Sequence, residues 1–216
     1  MADRDIYIDS ETLDSLHDTR IARLPPQERA SALRFGLAAT YDEIFGWRTW
    51  TSSLAHLLWN SLSMPGLRAV GWDILEYDLP VIRAAAHRDE PVAALDLSAE
   101  ILAATGRRYR LDTVARANLG RGKVQDTYLV IEWLRSGDPA SMARATEHCR
   151  NCVQLVMDLF VLIRRGQALA LPGRLSTGSY ASPVSSEANL RVVFSPDGRW
   201  LRCEDAHGHT IAQRPP

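Results

Sequence analysis

Between residues 139 and 165 the apolar positions Met142, Ala145, Cys149, Cys152, Val156, Leu159 and Ile163 alternate at steps of three and four. That spacing belongs to a helix that buries one stripe. In front of it, Gly137-Asp138-Pro139 combines a helix stop, an N-cap and a first-turn proline. Helical spacing recurs upstream. Ala30, Leu33 and Leu37 carry it through residues 26–39, and Ile44, Trp47, Trp50, Leu54, Leu57, Leu58 and Ser61 through residues 41–62. Residues 67–77 are amphipathic, and Asp78-Leu79-Pro80 caps and opens a short helix through Ala86. Val92, Leu95, Ala99 and Leu102 lead to a stop at Gly106, residues 111–119 to one at Gly120, and residues 124–134 follow.

Two regions depart from this period. Asp5-Ile6-Tyr7-Ile8-Asp9 alternates as a short strand does, with a helix start at Ser10. Residues 190–194 and 200–203 flank Ser195-Pro196-Asp197-Gly198-Arg199, turn chemistry that predicts a hairpin, and residues 210–212 are a candidate third strand. The fold class that follows is mainly α: a multi-helix orthogonal or solenoid-like bundle with a small C-terminal β-hairpin, which the strand at residues 6–8 could join. The expected organisation is a helical domain over 1–166, a Pro/Gly/Ser-rich linker or wrapping loop over 167–188, and the hairpin appendage over 189–216.

Composition narrows the function classes. In 216 residues, 25 basic and 26 acidic side chains leave a formal charge of −1, which provides no long-range attraction to nucleic acid or anionic lipid. On that ground nucleic acid is not expected as a partner, nor a membrane. The start of the chain has no basic segment leading into an apolar one, so no secretory leader is expected. No apolar run approaches the roughly 18 residues that span a bilayer. Three cysteines do not make a disulfide framework, so a reducing, cytoplasmic setting is expected. Lys123 is the only lysine among the 25 basic residues.

Candidate chemistry gathers in three places. Cys149 and Cys152 have the Cys-x-x-Cys spacing of a zinc half-site, and Cys203 with His207 would complete a tetrahedral sulfur and nitrogen set. Zinc is thus the one cofactor for which ligands can be assembled. Both Cys149 and Cys152 also lie on the buried stripe, where they serve as small core residues. His148 and Glu147 leave that stripe and are expected on a solvated or partly buried face. Trp47, Trp50, Trp59 and Trp72, with His56, Asp73 and Glu76, could line a ligand pocket between helices; a helix–helix core is the plainer use of the tryptophans. Gly120-Arg121-Gly122-Lys123 with Arg107 and Arg108 nearby could hold an anion, although Val124 stands where a Walker loop has Ser or Thr.

The carboxylates Asp42, Glu43, Asp73, Glu76, Asp89, Glu90 and Glu100 are assigned to solvated faces and helix caps, because the two helical Glu-x-x-His pairs of a di-metal bundle do not occur. No nucleophile elbow of the Gly-x-Ser-x-Gly type begins a serine triad either. These readings lead to a non-catalytic helical protein-binding module of adaptor, chaperone or toxin-immunity type, with another protein as partner. A small-molecule binder or enzyme with a Trp-lined pocket is the alternative, and a zinc-stabilised module a third.

Overall fold

The computed structural model describes residues 4–171, 190–194, 201–204 and 210–214. Its elements run β1 (Arg4–Thr12), α1 (Thr19–Ala22), α2 (Pro26–Arg29), β2 (Phe35–Asp42), β3 (Gly46–Thr51), a 3-10 turn (Ser52–Leu54), α3 (Ala55–Leu62), β4 (Leu67–Gly71), α4 (Asp78–Ala86), β5 (Ala94–Asp96), α5 (Leu97–Thr105), α6 (Leu111–Leu119), α7 (Thr127–Ser136), α8 (Pro139–Arg164), β6 (Leu169–Leu171), β7 (Leu190–Phe194), β8 (Leu201–Glu204) and β9 (Thr210–Arg214). They divide into two compact units, Met1–Leu97 with Lys123–Val156, and Ser98–Gly122 with Met157–Pro216.

The first unit holds a five-stranded mixed sheet in the order β3-β2-β1-β4-β5. β2 is antiparallel to both β1 and β3, whereas β4 runs parallel to β1, and β5 to β4. The chain is therefore α/β and not a mainly α bundle. Residues 35–42 and 67–71, read as helical from their apolar content, are strands of the sheet interior. A strand covered on both faces is nearly continuous in apolar residues, and its period cannot be told from that of a buried helix. In β3 the three-residue step from Trp47 to Trp50 mimics a helical stripe; on the strand it puts the two rings on opposite faces.

Those faces have different uses. Ile6 and Ile8 of β1, Ala38 of β2 and Trp50 of β3 pack with Leu58, Trp59 and Leu62 of α3 and with Val81 and Ile82 of α4, forming a buried apolar cluster. The other face is set out by the strand register. Tyr7 pairs with Tyr41 and Tyr41 with Trp47; Asp9 with Ala39 and Ala39 with Thr49; Glu11 with Leu37 and Leu37 with Thr51. This second face carries the acidic residues.

In the second unit β6, β7, β8 and β9 form an antiparallel sheet in that order. Asn118 of α6 ties β6 in place: its Nδ2 donates to the Ala170 carbonyl at 2.9 Å and its Oδ1 accepts from the Ala170 amide at 2.8 Å. β7 and β8 pair antiparallel where the hairpin was read, and the turn residues 195–199 lie outside the described residues. The hairpin's partner strand is β6, while the N-terminal strand is the centre of the other sheet. Among the described residues, no helix is long and apolar enough to cross a membrane.

Candidate active site

The site is built on β1. Side chains alternate along a strand, so Asp9 and Glu11 leave one face of the sheet and Ser10 the other. Ser10 Oγ donates to Asp78 Oδ1 at 2.6 Å, which fixes the first residue of α4 beside the carboxyl end of the central strand. In open α/β sheets that end is where ligands bind.

The connection from β4 to α4 is shaped to deliver Asp78. Asp96, buried at the end of β5, accepts from the amides of Asp73 and Leu75, both at 3.0 Å. Asp73 itself takes a left-handed φ of 61°. At Gly71 a Cβ would lie 2.9 Å from the Ile8 carbonyl oxygen and against the side chain of Ile74, so only glycine lets this turn press on β1. Further along, Thr12 Oγ1 donates its one proton to the Asp14 carbonyl at 2.7 Å. The Tyr77 hydroxyl, 2.9 Å from Thr12 Oγ1, must therefore be the donor in that pair.

α8 closes the cluster from the acidic face. Cys149 Sγ donates to the Asp9 backbone carbonyl at 3.1 Å. His148 Nε2 lies 3.3 Å from Glu11 Oε1 and 3.6 Å from Cys152 Sγ. His148 is fully buried, not on a solvated face, because β1 lies against that side of the helix as well. Lys123, in the segment before α7, lies close enough to Cys152, Asp9, Glu11 and Asp78 for its charge to act on them.

The electrostatics follow from this crowding. Burial, and then the Glu11 charge, push the Asp9 carboxyl up to about 6, against the pull of Lys123 and His148. Asp78 is raised well above the usual carboxylate range, first by burial and then by Asp9, while its hydrogen bonds from Ser10 act in the opposite sense. For Lys123 burial alone would favour the neutral amine, but Cys152, Asp9, Glu11 and Asp78 outweigh it and hold the ammonium form. Burial raises the thiols of Cys149 and Cys152, with the Asp9 charge adding to it; Lys123 works against the rise at Cys152.

This donor set fits a divalent cation. Asp9 Oδ2 is buried without a hydrogen-bond donor among the described residues. Glu11 offers a hard oxygen ligand, and His148 and Cys152 add nitrogen and sulfur, the three donor atoms lying within 4.8 Å of one another.

The residues singled out from sequence are dispersed. Trp47 is half-buried on the acidic face of β3; Trp50 is buried on the opposite face and donates from Nε1 to Thr40 Oγ1 at 2.9 Å. Trp59 is buried on α3 and Trp72 beyond β4, Asp73 is half-buried in the turn, and His56 and Glu76 are exposed. A Trp-lined pocket between helices is not what these positions make. Arg107 and Arg108 are exposed in the second unit and Arg121 pairs with Asp158 there, whereas Lys123 belongs to the first unit. Cys149 and Cys152 are buried free thiols, Cys203 lies on β8, and His207 is outside the described residues.

Sequence reasoning passed over Asp9, Glu11 and Asp78, the acidic core of the cluster. The available signal was two carboxylates two residues apart at the end of the alternating segment 5–9. Asp78 reads as a helix cap and gives no such signal by itself.

No family model matches the sequence, and no curated protein does. Among solved structures, part of the family B DNA polymerase from the hyperthermophilic archaeon Pyrobaculum calidifontis superposes with a TM-score of 0.51 at 14% identity, over 74% of this chain and 24% of that one. E. coli exonuclease I in complex with a dA16 oligonucleotide gives 0.41 at 13% identity over 94% and 54%, and its 5cy-dT13 complex 0.41 at 13% over 76% and 43%. The chain spans only about a quarter of the polymerase. This fold corrects the expectation of a non-catalytic helical protein-binding module of adaptor, chaperone or toxin-immunity type, and the expectation that nucleic acid is not a partner. Net charge near zero says nothing about a local acidic centre on a fold that a DNA polymerase contains, and the α/β fold shared with that polymerase is what the comparisons show.

Proposed function

We propose that the first unit is a nucleic-acid-processing domain that binds a single strand over the acidic face of its sheet and cleaves a phosphodiester bond at Asp9, Glu11 and Asp78 with a divalent cation. The observation that carries this reading is that Asp9 and Glu11 leave the end of the central strand while Ser10 between them holds Asp78 beside it, close enough for the three charges and Lys123 to act on one another. Buried like charges are costly unless a cation compensates them. The fold supports the reading, since the matched polymerase acts on DNA by name.

Aromatic and basic groups extend the same face. Trp47 packs on Tyr41 with centroids 5.2 Å apart, and the Arg150 guanidinium lies 5.9 Å from the Trp47 ring centre while donating to Thr49 Oγ1 at 3.2 Å. Arginine and a half-buried aromatic side by side form a platform on which bases stack without sequence preference. Two strand spacings, about 10 Å, separate β3 from β1, so a base on Trp47 lets its strand reach the carboxylates.

In this scheme Glu11, with Asp9 and Asp78 beside it, would hold the cation, and Ser10 and Asp96 keep Asp78 in position. When bound, the cation polarises a phosphoryl oxygen and lowers the pKa of an attacking water. Lys123 offers its ammonium to the phosphate oxygens, as a point charge does. The buried free thiols Cys149 and Cys152 support a reducing compartment, and we place the protein in the cytoplasm.

End-labelled single-stranded DNA and RNA, incubated with the full chain and Mg2+, Mn2+, Co2+ or Zn2+ in turn, provide the test. Shortened products that disappear on chelation are the expected result. The reading is overturned if neither substrate is cut above the chelated control with any of the four ions.

A further inference from the structure

We propose that Glu11 Oε1, His148 Nε2 and Cys152 Sγ form one metal site of mixed oxygen, nitrogen and sulfur donors, which selects a borderline-soft ion of the zinc or cobalt class over Mg2+. The inference rests on the reading of the cluster as a cation-dependent centre and says which cation it takes. All three residues are buried, and their donor atoms lie within 4.8 Å of one another.

Two of the separations are compatible with zinc geometry. Ligands at ordinary zinc distances on a tetrahedron stand about 3.4 Å apart for oxygen and nitrogen and about 3.5 Å for nitrogen and sulfur. The corresponding distances here are 3.3 Å and 3.6 Å. Adjacent ligands of octahedral Mg2+ stand about 2.9 Å apart, and Mg2+ takes oxygen ligands and retains water. A thiolate and an imidazole beside one carboxylate suit zinc or cobalt far better.

One further feature points to a ligand. Asp9 Oδ2, on the same strand face as Glu11, is buried with no hydrogen-bond donor among the described residues. The thiolate is the form that binds metal. Cys149 is not part of the set, because its thiol is directed to the Asp9 carbonyl. The site is thus distinct from a Cys149-x-x-Cys152 half-site. On binding, the Cys152 S–H bond breaks, its electron pair goes to the metal and its proton to solvent.

The test uses the metal alone, without substrate. Metal-free full chain is titrated with Co2+, and the near-ultraviolet thiolate-to-cobalt charge-transfer band is recorded for wild type, Cys152→Ser and Cys149→Ser. Zn2+ and Mg2+ affinities are measured by calorimetry in buffers of different ionisation enthalpy, and thermal melts check that each variant is folded. We expect a band with wild type and Cys149→Ser, none with Cys152→Ser, a loss of Zn2+ affinity of about 100-fold or more in Cys152→Ser, and proton release on Zn2+ binding. A band that survives in folded Cys152→Ser, or Mg2+ affinity matching that for Zn2+, overturns the inference. Mg2+-dependent cleavage without any cobalt band would remove this inference and leave the proposed function standing; absence of binding by every ion removes both.

Discussion

Ser10 Oγ donates to Asp78 Oδ1 at 2.6 Å, joining residues 68 apart in sequence. The bond ties the first residue of α4 to the central strand through the side chain that lies between Asp9 and Glu11 and points the other way. It is the mechanical link between the apolar face of the sheet and its acidic face. Replacing Ser10 by Ala leaves a buried carboxylate oxygen short of a donor, which costs about 1–3 kcal/mol. A lowered melting temperature together with reduced cleavage is the expected outcome for Ser10→Ala.

Trp47 and Trp50 should respond in opposite ways. Trp50 is buried in the core cluster, and Trp50→Ala should destabilise the fold by about 3–5 kcal/mol. Trp47 is half-buried on the other face, so Trp47→Ala should leave the melt nearly unchanged and weaken single-strand binding by about 1–3 kcal/mol. Fluorescence anisotropy with an oligonucleotide of uncleavable backbone, read beside a thermal melt, separates the two.

The same pair shows why part of the fold was legible and part was not. Helices α4, α6 and α8 announce themselves through Asp78-Leu79-Pro80, Gly120 and Gly137-Asp138-Pro139, since caps and stops act locally. Strands β2 and β4 carry no such mark. Their residues are apolar on both faces, and only pairing with β1 distinguishes them from helix. The candidate site shares that difficulty, because Asp9, Asp78 and His148 are brought near one another by strand order and packing. Cys152, noticed for its spacing to Cys149, proves to have Glu11 and His148 as its metal-competent neighbours.

Gly71→Ala should destabilise by about 1–3 kcal/mol, because the added methyl group meets the Ile8 carbonyl at 2.9 Å and backbone cannot swing aside. Chemical denaturation should show a lower midpoint with an unchanged slope.

Acid sensitivity has an identifiable contributor in Asp14. Hydrogen bonds from Arg34, outweighing the opposing effect of burial, hold its carboxyl below the usual range. A carboxyl lowered in the folded state adds stability that is present above its unfolded value, about 3.9, and is lost as pH falls through the lower folded value. Arg34 is largely exposed, so the contribution at neutral pH is under about 1 kcal/mol. In Arg34→Met the acid-unfolding midpoint should move to higher pH, and the gap in stability between variant and wild type should close at the most acidic end of a pH series of melts.

Asp9→Asn gives the most direct measurement of the central claim, since it sets stability against activity. Burial and Glu11 disfavour the Asp9 carboxylate, so removing its charge should leave the melting temperature equal or higher. Cleavage of an end-labelled single strand by the same sample should fall by about 100-fold or more, because a carboxylate beside the cation is lost. Wild-type cleavage by a folded Asp9→Asn protein would contradict the account.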